Sequence, residues 1–321
     1  MPDGSAQNNE DGHSSKSCEK KARNTRSLLL LTGSSPSVMS ADEEDLSDAA
    51  TNSSSSSSLW WIHPTCRDLY IQHIFPSGAA RIKKRARLLR YSLHHAWGTV
   101  RKRCHHAQFL EFGVHEGKDL VRMAYSLSQL DNQQRTNTGT TIIHGFDSFQ
   151  GLPEDWNNGQ NNEDDSLAFA AGAFDLGGVA PILSSVQQDL NLGANEQDIG
   201  ATMINAKLHP GWFSDTIPSF LKEHPAPIAF VHADADLYAS TMTFLDEICK
   251  QRQLVQGTVI TFDEYANYEN WQEGEYRAWK EICETYSIKF RYLCYHAPAP
   301  KDLKNWYGYQ SVSVVLTSVG K

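Results

Sequence analysis

The chain has 321 residues, 40% of them hydrophobic and 21% charged, ordinary values for a globular protein with a sizeable core. No run of about 18 apolar residues occurs, which argues against a membrane-spanning helix, and a net charge of −9 argues against a general affinity for nucleic acid. The six cysteines stand far apart with no C-x-x-C pair, so zinc-site and disulfide-framework spacings are both missing and a reducing, cytoplasmic setting is expected.

Residues 1–58 are rich in Ser, Asn, Asp, Glu and Lys and end in the tract SSSSSS. Such a segment buries too little apolar surface to offset its ordering entropy and is expected to be disordered. It lacks the layout of a secretory signal, while organellar targeting by this leader stays open. Folded structure is expected from Leu59-Trp60-Trp61-Ile62 onward, with helices over about 63–104 broken at Pro76-Ser77-Gly78. Within that part, residues 81–103 read RIKKRARLLRYSLHHAWGTVRKR. The plain expectation for so basic a stretch is a solvated helix face, and the sharper ones are contact with an anion or a membrane surface.

Strand and helix patterns then alternate. Phe109–Phe112 reads as a buried strand, Lys118 to about Leu130 as a helix, and Thr140–Phe146 as a second strand. Residues 151–180 form a long Gly-, Asn- and Asp-rich connection, a length usually reserved for function and here a candidate mobile cover. Ala201–Ala206, Ile228–His232 and Val259–Phe262 read as further strands, with helices after each, the first of them capped by Ser214 or Asp215. Lys289–Tyr295 and Gln310–Thr317 close the chain as two strands with no helix between them. The expected fold is therefore α/β: a Rossmann-like, doubly wound, mostly parallel seven-stranded sheet with one antiparallel strand, preceded by N-terminal helices. Residues 59–106 would form the helical part and 107–321 the core.

Ligands of open α/β sheets sit at the carboxyl ends of the strands. The first strand ends in Glu111-Phe112-Gly113-Val114-His115-Glu116-Gly117, a turn that opens a helix but lacks the G-x-G-x-x-G order of a dinucleotide site. Its acidic residue suits a cationic amino-acid moiety, such as that of S-adenosylmethionine, better than a phosphate. Alone, the E-x-G-x-x-x-G pattern fits a plain structural turn equally well. The second strand ends in Asp147-Ser148, where a carboxylate can accept two ribose hydroxyls, or can cap a helix. Glu111, Gly113, Gly117, Asp147 and Ser148 are the candidate cofactor-binding residues.

The fourth strand runs into His232-Ala233-Asp234-Ala235-Asp236-Leu237-Tyr238 and the fifth into Phe262-Asp263-Glu264-Tyr265. Parallel neighbours deliver both acidic groups to one sheet edge, where four carboxylates repel unless protonated, hydrogen-bonded or bound to a cation. A divalent ion is the natural neutraliser, with magnesium the default. The plain alternative is helix capping by Asp234 or Asp236 beside a solvated Asp263-Glu264 pair.

The segments GFDSFQGLPEDW (145–156), GWFSDTIPSFL (211–221), HADADLYASTMTFL (232–245) and FDEYANYENWQEGEYRAW (262–279) resemble the macrocin O-methyltransferase family of class I methyltransferases. The resemblance implies a Rossmann-like fold, S-adenosylmethionine as methyl donor, and Mg2+ chelating adjacent hydroxyls of a sugar or related small-molecule acceptor. By motif, Asp234, Asp263 and Glu264 would ligate the metal, and Glu111, Gly113 and Asp147 would lie against the cofactor. The polar leader departs from the family pattern, and no residue matches the family's catalytic histidine. His232 and His296 are the candidate general bases, though each also fits a structural histidine. Trp156 and Trp271 are candidate lid aromatics, with Tyr238 and Tyr265 at the site rim. Trp212 and Phe213 fit an aromatic anchor between helix and sheet. A binding protein that keeps the fold without turnover and a nucleic-acid methyltransferase using the basic segment are the alternatives, with a nicotinamide oxidoreductase more distant. The sequence leaves the oligomeric state, including a homo-oligomer, open.

Overall fold

The computed structural model describes residues 61–134, 140–157, 169–192, 205–297 and 310–320. The leader 1–58 and the segment 201–204 of the expected third strand lie outside the described residues.

Eight strands form one sheet in the order β1-β7-β8-β6-β5-β2-β3-β4. β2 (Gln108–Phe112), β3 (Ile143–Asp147), β4 (Ala206–Pro210), β5 (Ile228–Ala233) and β6 (Leu254–Ala266) pair in parallel. β8 (Gln310–Ser318) runs antiparallel to both β6 and β7 (Lys289–His296), and so is the expected antiparallel strand. The helices between parallel strands are α2 (Lys118–Gln134), α3 (Leu183–Asp189), α4 (Phe213–Glu223), α5 (Tyr238–Lys250) and α6 (Glu275–Thr285).

The eighth strand corrects the expected seven. It is β1 (Ala80–Ile82), three residues drawn from the stretch read as helical, paired in parallel with β7 through Ala80↔Cys294 and Ile82↔His296. Its cause is local. The helical turns over 64–77 end at Gly78, whose φ of 71° is the left-handed conformation that stops a helix, and the chain leaves extended along the sheet edge before entering α1 (Arg85–Ala96).

Burial explains why the strands read as continuous apolar runs: every residue of β5 is buried. Alternation divides them between two cores. Ile228, Val231, Ile260 and Phe262 face the layer holding α4, α5 and α6, together with Trp61 and Tyr70 of the N-terminal turns. Phe109, Ala229, Phe230 and Val259 face the layer holding α1 and α2 through Leu88, Leu93, Leu120 and Leu127. α4 begins two residues earlier than expected, at Phe213: its N-cap is Trp212 with no side-chain cap bond, so neither Ser214 nor Asp215 caps it.

Candidate active site

The strand order reverses between β2 and β5, the place where an open parallel sheet splays its loops and leaves a crevice. Backbone bonds there tie three strand ends together: Asp234 N–H donates to Phe112 O at 2.9 Å, and Gly113 N–H to Phe146 O at 3.0 Å. Gly113 has φ 87°, and a Cβ on it would lie 1.7 Å from the Asp234 carbonyl oxygen. Only glycine lets the β2 and β5 ends pass this closely.

A cavity of about 320 Å³ opens over this junction. Its floor contains Gly113, Val114, His115, Asp147, Ser148, Asp234, Asp236 and Glu264. Its walls are aromatic, with Trp156, Phe169 and Phe174 from the 151–180 connection and Trp212 and Phe213 from the start of α4. Trp156 stacks on Phe169 with ring centroids 5.3 Å apart, and Phe169 contacts Phe174 at 5.0 Å. An apolar cleft with a few convergent polar groups is the usual form of a small-molecule site.

The candidate cofactor residues separate. Asp147 is held by the turn it faces: Oδ2 accepts from the backbone of Val114 and His115, each at 2.8 Å, and Oδ1 from Phe149 at 2.7 Å. It therefore welds β3 to the first turn, keeps one acceptor site, on Oδ1, unused by these bonds, and lines the cavity. Ser148 lines the cavity and its hydroxyl accepts from Gln150 N–H at 3.1 Å. Glu111 and Gly117 are not among the cavity-lining residues. Glu111 is buried, with Oε1 2.9 Å from His232 Nδ1, and its Oε2 has no hydrogen-bond partner among the described residues. Burial first, then the charges of Asp119 and Asp234, push its carboxyl well above the usual range. A Cβ on Gly117 would meet Leu183 at 3.1 Å, so that glycine serves the packing of α2 against α3.

The acidic groups do converge. Asp234, Asp263 and Glu264 each offer one oxygen, all within 4.8 Å of one another. The helix-capping alternative is not what the chain does: α5 begins after Leu237, which makes no side-chain cap bond. One charge partner comes from the basic stretch. Arg85, the first residue of α1, donates from Nη2 to Asp234 Oδ2 at 2.9 Å, from Nε to Asp263 and from Nη1 to Asp119 on α2. Ser311 of β8 donates to Asp263 at 2.7 Å. These bonds decide who carries charge. Burial opposes ionisation of Asp263, but Arg85 and Ser311 hold its carboxyl below its ordinary value. Burial and the Asp263 charge push Asp234 and Glu264 well above theirs. Glu264 Oε2 is buried with no partner among the described residues, and an orphaned buried carboxylate oxygen is one that a cation can satisfy. The donor set is three carboxylates, the hard oxygen chemistry that Mg2+ or Mn2+ takes, so the residues fit a divalent ion.

The basic stretch is not a uniform solvated face. Arg101 is also internal, 3% exposed, and donates from Nε to Thr141 at 3.0 Å. Neither candidate base lines the cavity. His232 is fully buried behind Asp234, its Nε2 4.0 Å from Asp234 Oδ2, and burial lowers its pKa to about 4. His296 sits at the β1–β7 edge, paired with Ile82, and burial lowers its pKa as well. Tyr265 is core, hydrogen-bonded to Tyr292, and Tyr238 meets Glu281 at 2.5 Å on the outer face. Trp271 is buried against Thr65 rather than over the cavity. Sequence reading passed over Asp236 as an actor and missed Asp119 and Arg85. Asp236 lines the cavity with a φ of 58°, and the adjacent D-x-D spacing was its only signal.

The macrocin-O-methyltransferase (TylF) family matches residues 72–288, well over half of the chain. The chain belongs to this family. It is accordingly an S-adenosylmethionine-dependent methyltransferase. No curated protein matches the sequence. Among solved structures, the calicheamicin methyltransferase CalS11 shares 20% identity over 87% of this chain and 99% of its own, with a TM-score of 0.46. An apo structure of CalS11, described as a TDP-rhamnose 3'-O-methyltransferase, shares 18% over 87% and 96%, with a TM-score of 0.42. An rRNA methylase from Streptococcus thermophilus shares 12% over 74% and 99%, with a TM-score of 0.38.

Proposed function

We propose that this macrocin-O-methyltransferase family member methylates a hydroxyl of a small polyhydroxylated acceptor, a sugar or glycosylated metabolite, at a site organised by a divalent ion on Asp234, Asp263 and Glu264. The observation that carries the reading is the single cavity reaching from the Gly113–His115 turn and Asp147 to Asp234, Asp236 and Glu264. A methyl donor on the first set of residues and an acceptor on the second would share one water-poor chamber.

Transfer from a sulfonium is a direct displacement, so positioning and electrostatics are the protein's main contributions. Gly113 keeps the backbone low beneath the donor, and Asp147 offers the one acceptor site left by its three backbone bonds, on Oδ1, to a ribose hydroxyl. Trp156, Phe169 and Phe174 supply apolar walls that exclude water. When bound, the ion would supply positive charge that lowers the pKa of a chelated hydroxyl. Asp236 is a better-placed proton acceptor than His232 or His296, because it lines the cavity and they do not. In the ion-free protein, burial followed by the Asp263 and Asp147 charges raises its pKa to about 7. Glu111 and His232 then act as a buried support behind Asp234.

The test is calorimetric titration of the full chain with S-adenosylmethionine and S-adenosylhomocysteine, followed by methyl transfer to a panel of sugars and catechols with Mn2+ or with chelator. Micromolar donor binding and transfer that needs the ion are expected. Transfer undiminished by chelator would remove the ion from the reading, and transfer confined to RNA would replace the acceptor class.

A further inference from the structure

A stretch as basic as 81–103 would ordinarily keep all its charges in water, yet one of them is placed inside the acidic cluster. Arg85 stands at the first turn of α1, where the helix dipole disfavours a cation, and its preceding N-cap Lys84 makes no side-chain cap bond. Local helix energetics therefore do not account for an arginine there. The carboxylates do. Its guanidinium is forked among Asp119, Asp234 and Asp263, and although burial works against its charge, those three neighbours hold it more firmly protonated than usual.

Two of these three carboxylates, Asp234 and Asp263, are also two of the three that converge with Glu264 within 4.8 Å. Glu264 has no bond to Arg85, and its Oε2 is buried without a partner among the described residues. A guanidinium and a divalent ion cannot both lie against Asp234 and Asp263 without strong mutual repulsion. Asp119 differs: it receives Arg85 and also Arg122, the latter at 2.9 Å, and takes no part in the converging triad.

We propose that Arg85 is an internal competitor of the divalent ion. In the ion-free protein it neutralises Asp234 and Asp263, and ion binding displaces its guanidinium from them while Asp119 retains it. Arg85 is thus a positioning residue that keeps the carboxylates together when the site is empty and sets the ion affinity lower than the bare triad would give. The inference rests on the ion reading of the cluster.

The experiment is Mn2+ binding to the full chain, read by the electron spin resonance of free Mn2+, together with thermal melting in chelator and in saturating Mn2+. Arg85→Met removes the competitor and is expected to bind Mn2+ at least about ten-fold more tightly, whereas Arg85→Lys, which keeps the charge, stays within about three-fold of the parent. In chelator Arg85→Met melts below the parent, and Mn2+ closes the gap. Should Arg85→Met not fold without the ion, Arg85→Gln, which keeps a donor but no charge, carries the same expectation of tighter binding. Equal or weaker Mn2+ binding by a folded Arg85→Met or Arg85→Gln overturns the inference. Parent binding that Asp263→Asn abolishes, with Arg85 variants unchanged, overturns the Arg85 role alone. No Mn2+ binding by the parent or the Arg85 variants overturns both the competitor and the ion site.

Discussion

At the scale of single residues, two positions define how the site is held. Gly113 cannot carry a side chain, because its Cβ would lie 1.7 Å from the Asp234 carbonyl oxygen in addition to the strain of φ 87°. Gly113→Ala is expected to leave little folded protein, whereas Gly78→Ala, with φ 71° and nothing within 4 Å of the added atom, should cost only about 1–2 kcal/mol. Equal midpoints for the two variants in urea melts would refute the close-approach argument. Asp147 is the second. Replacing it with Ala strands three backbone N–H groups, two from the first turn and one at Phe149, a loss of roughly 1–3 kcal/mol. Donor affinity should fall with it by about ten-fold or more. An Asp147→Ala protein that binds S-adenosylhomocysteine as the parent does would show that this carboxylate serves the turn and not the cofactor.

Among elements, the β3–β4 edge carries a titrating feature away from the cavity. His144 of β3 lies 3.0 Å from His209 of β4 through Nδ1 and Nε2, and both rings pack on Phe220 of α4. His144 is 5% exposed, and burial, followed by His209 and His224, lowers its pKa to about 3. The unfolded chain takes up this proton near pH 6.5 and the folded chain only near pH 3, so stability is lost as pH falls between those values. The slope for one such histidine is at most about 1.4 kcal/mol per pH unit. The His144 ring should therefore show no proton-resonance titration between pH 8 and 5, and His144→Phe should flatten the acid limb of the urea stability curve. A His144 resonance that titrates near 6.5 would mean the edge opens in solution.

For the whole molecule, the cavity is assembled from elements distant in sequence, so ligand binding should stabilise the fold as a unit. Donor at about 100 times its dissociation constant contributes about 2.7 kcal/mol through linkage, a rise of roughly 5–10 °C in melting temperature for a domain of this size. Chelation should lower the melting temperature by less than donor removal does, because Arg85 already bonds to two of the three converging carboxylates. A larger fall on chelation than on donor removal would place the main stabilising contacts at the cluster.

Local chemistry in the sequence was enough for much of this. Apolar runs at β2, β5 and β6, each followed by a helical period, required buried parallel strands, because such runs are stable only when covered on both faces. Strand ends are also where the chain turns, so the acidic pairs 234/236 and 263/264 and the Gly113 turn could be assigned to one sheet edge. The three-residue β1 was not legible, since its pairing comes from β7, more than 200 residues away. Nor was the inward turn of Arg85, which belongs to a basic stretch whose charges look alike until α1 docks beside β6 and α2. Tertiary structure also divided the histidines from the cavity and placed Asp236 in it, because which side of a strand end faces a pocket depends on where neighbouring strands stop. Sequence thus determined which chemistry reaches the crevice, and only packing decided which charges meet there, since electrostatic partners are set by distance in space and not along the chain.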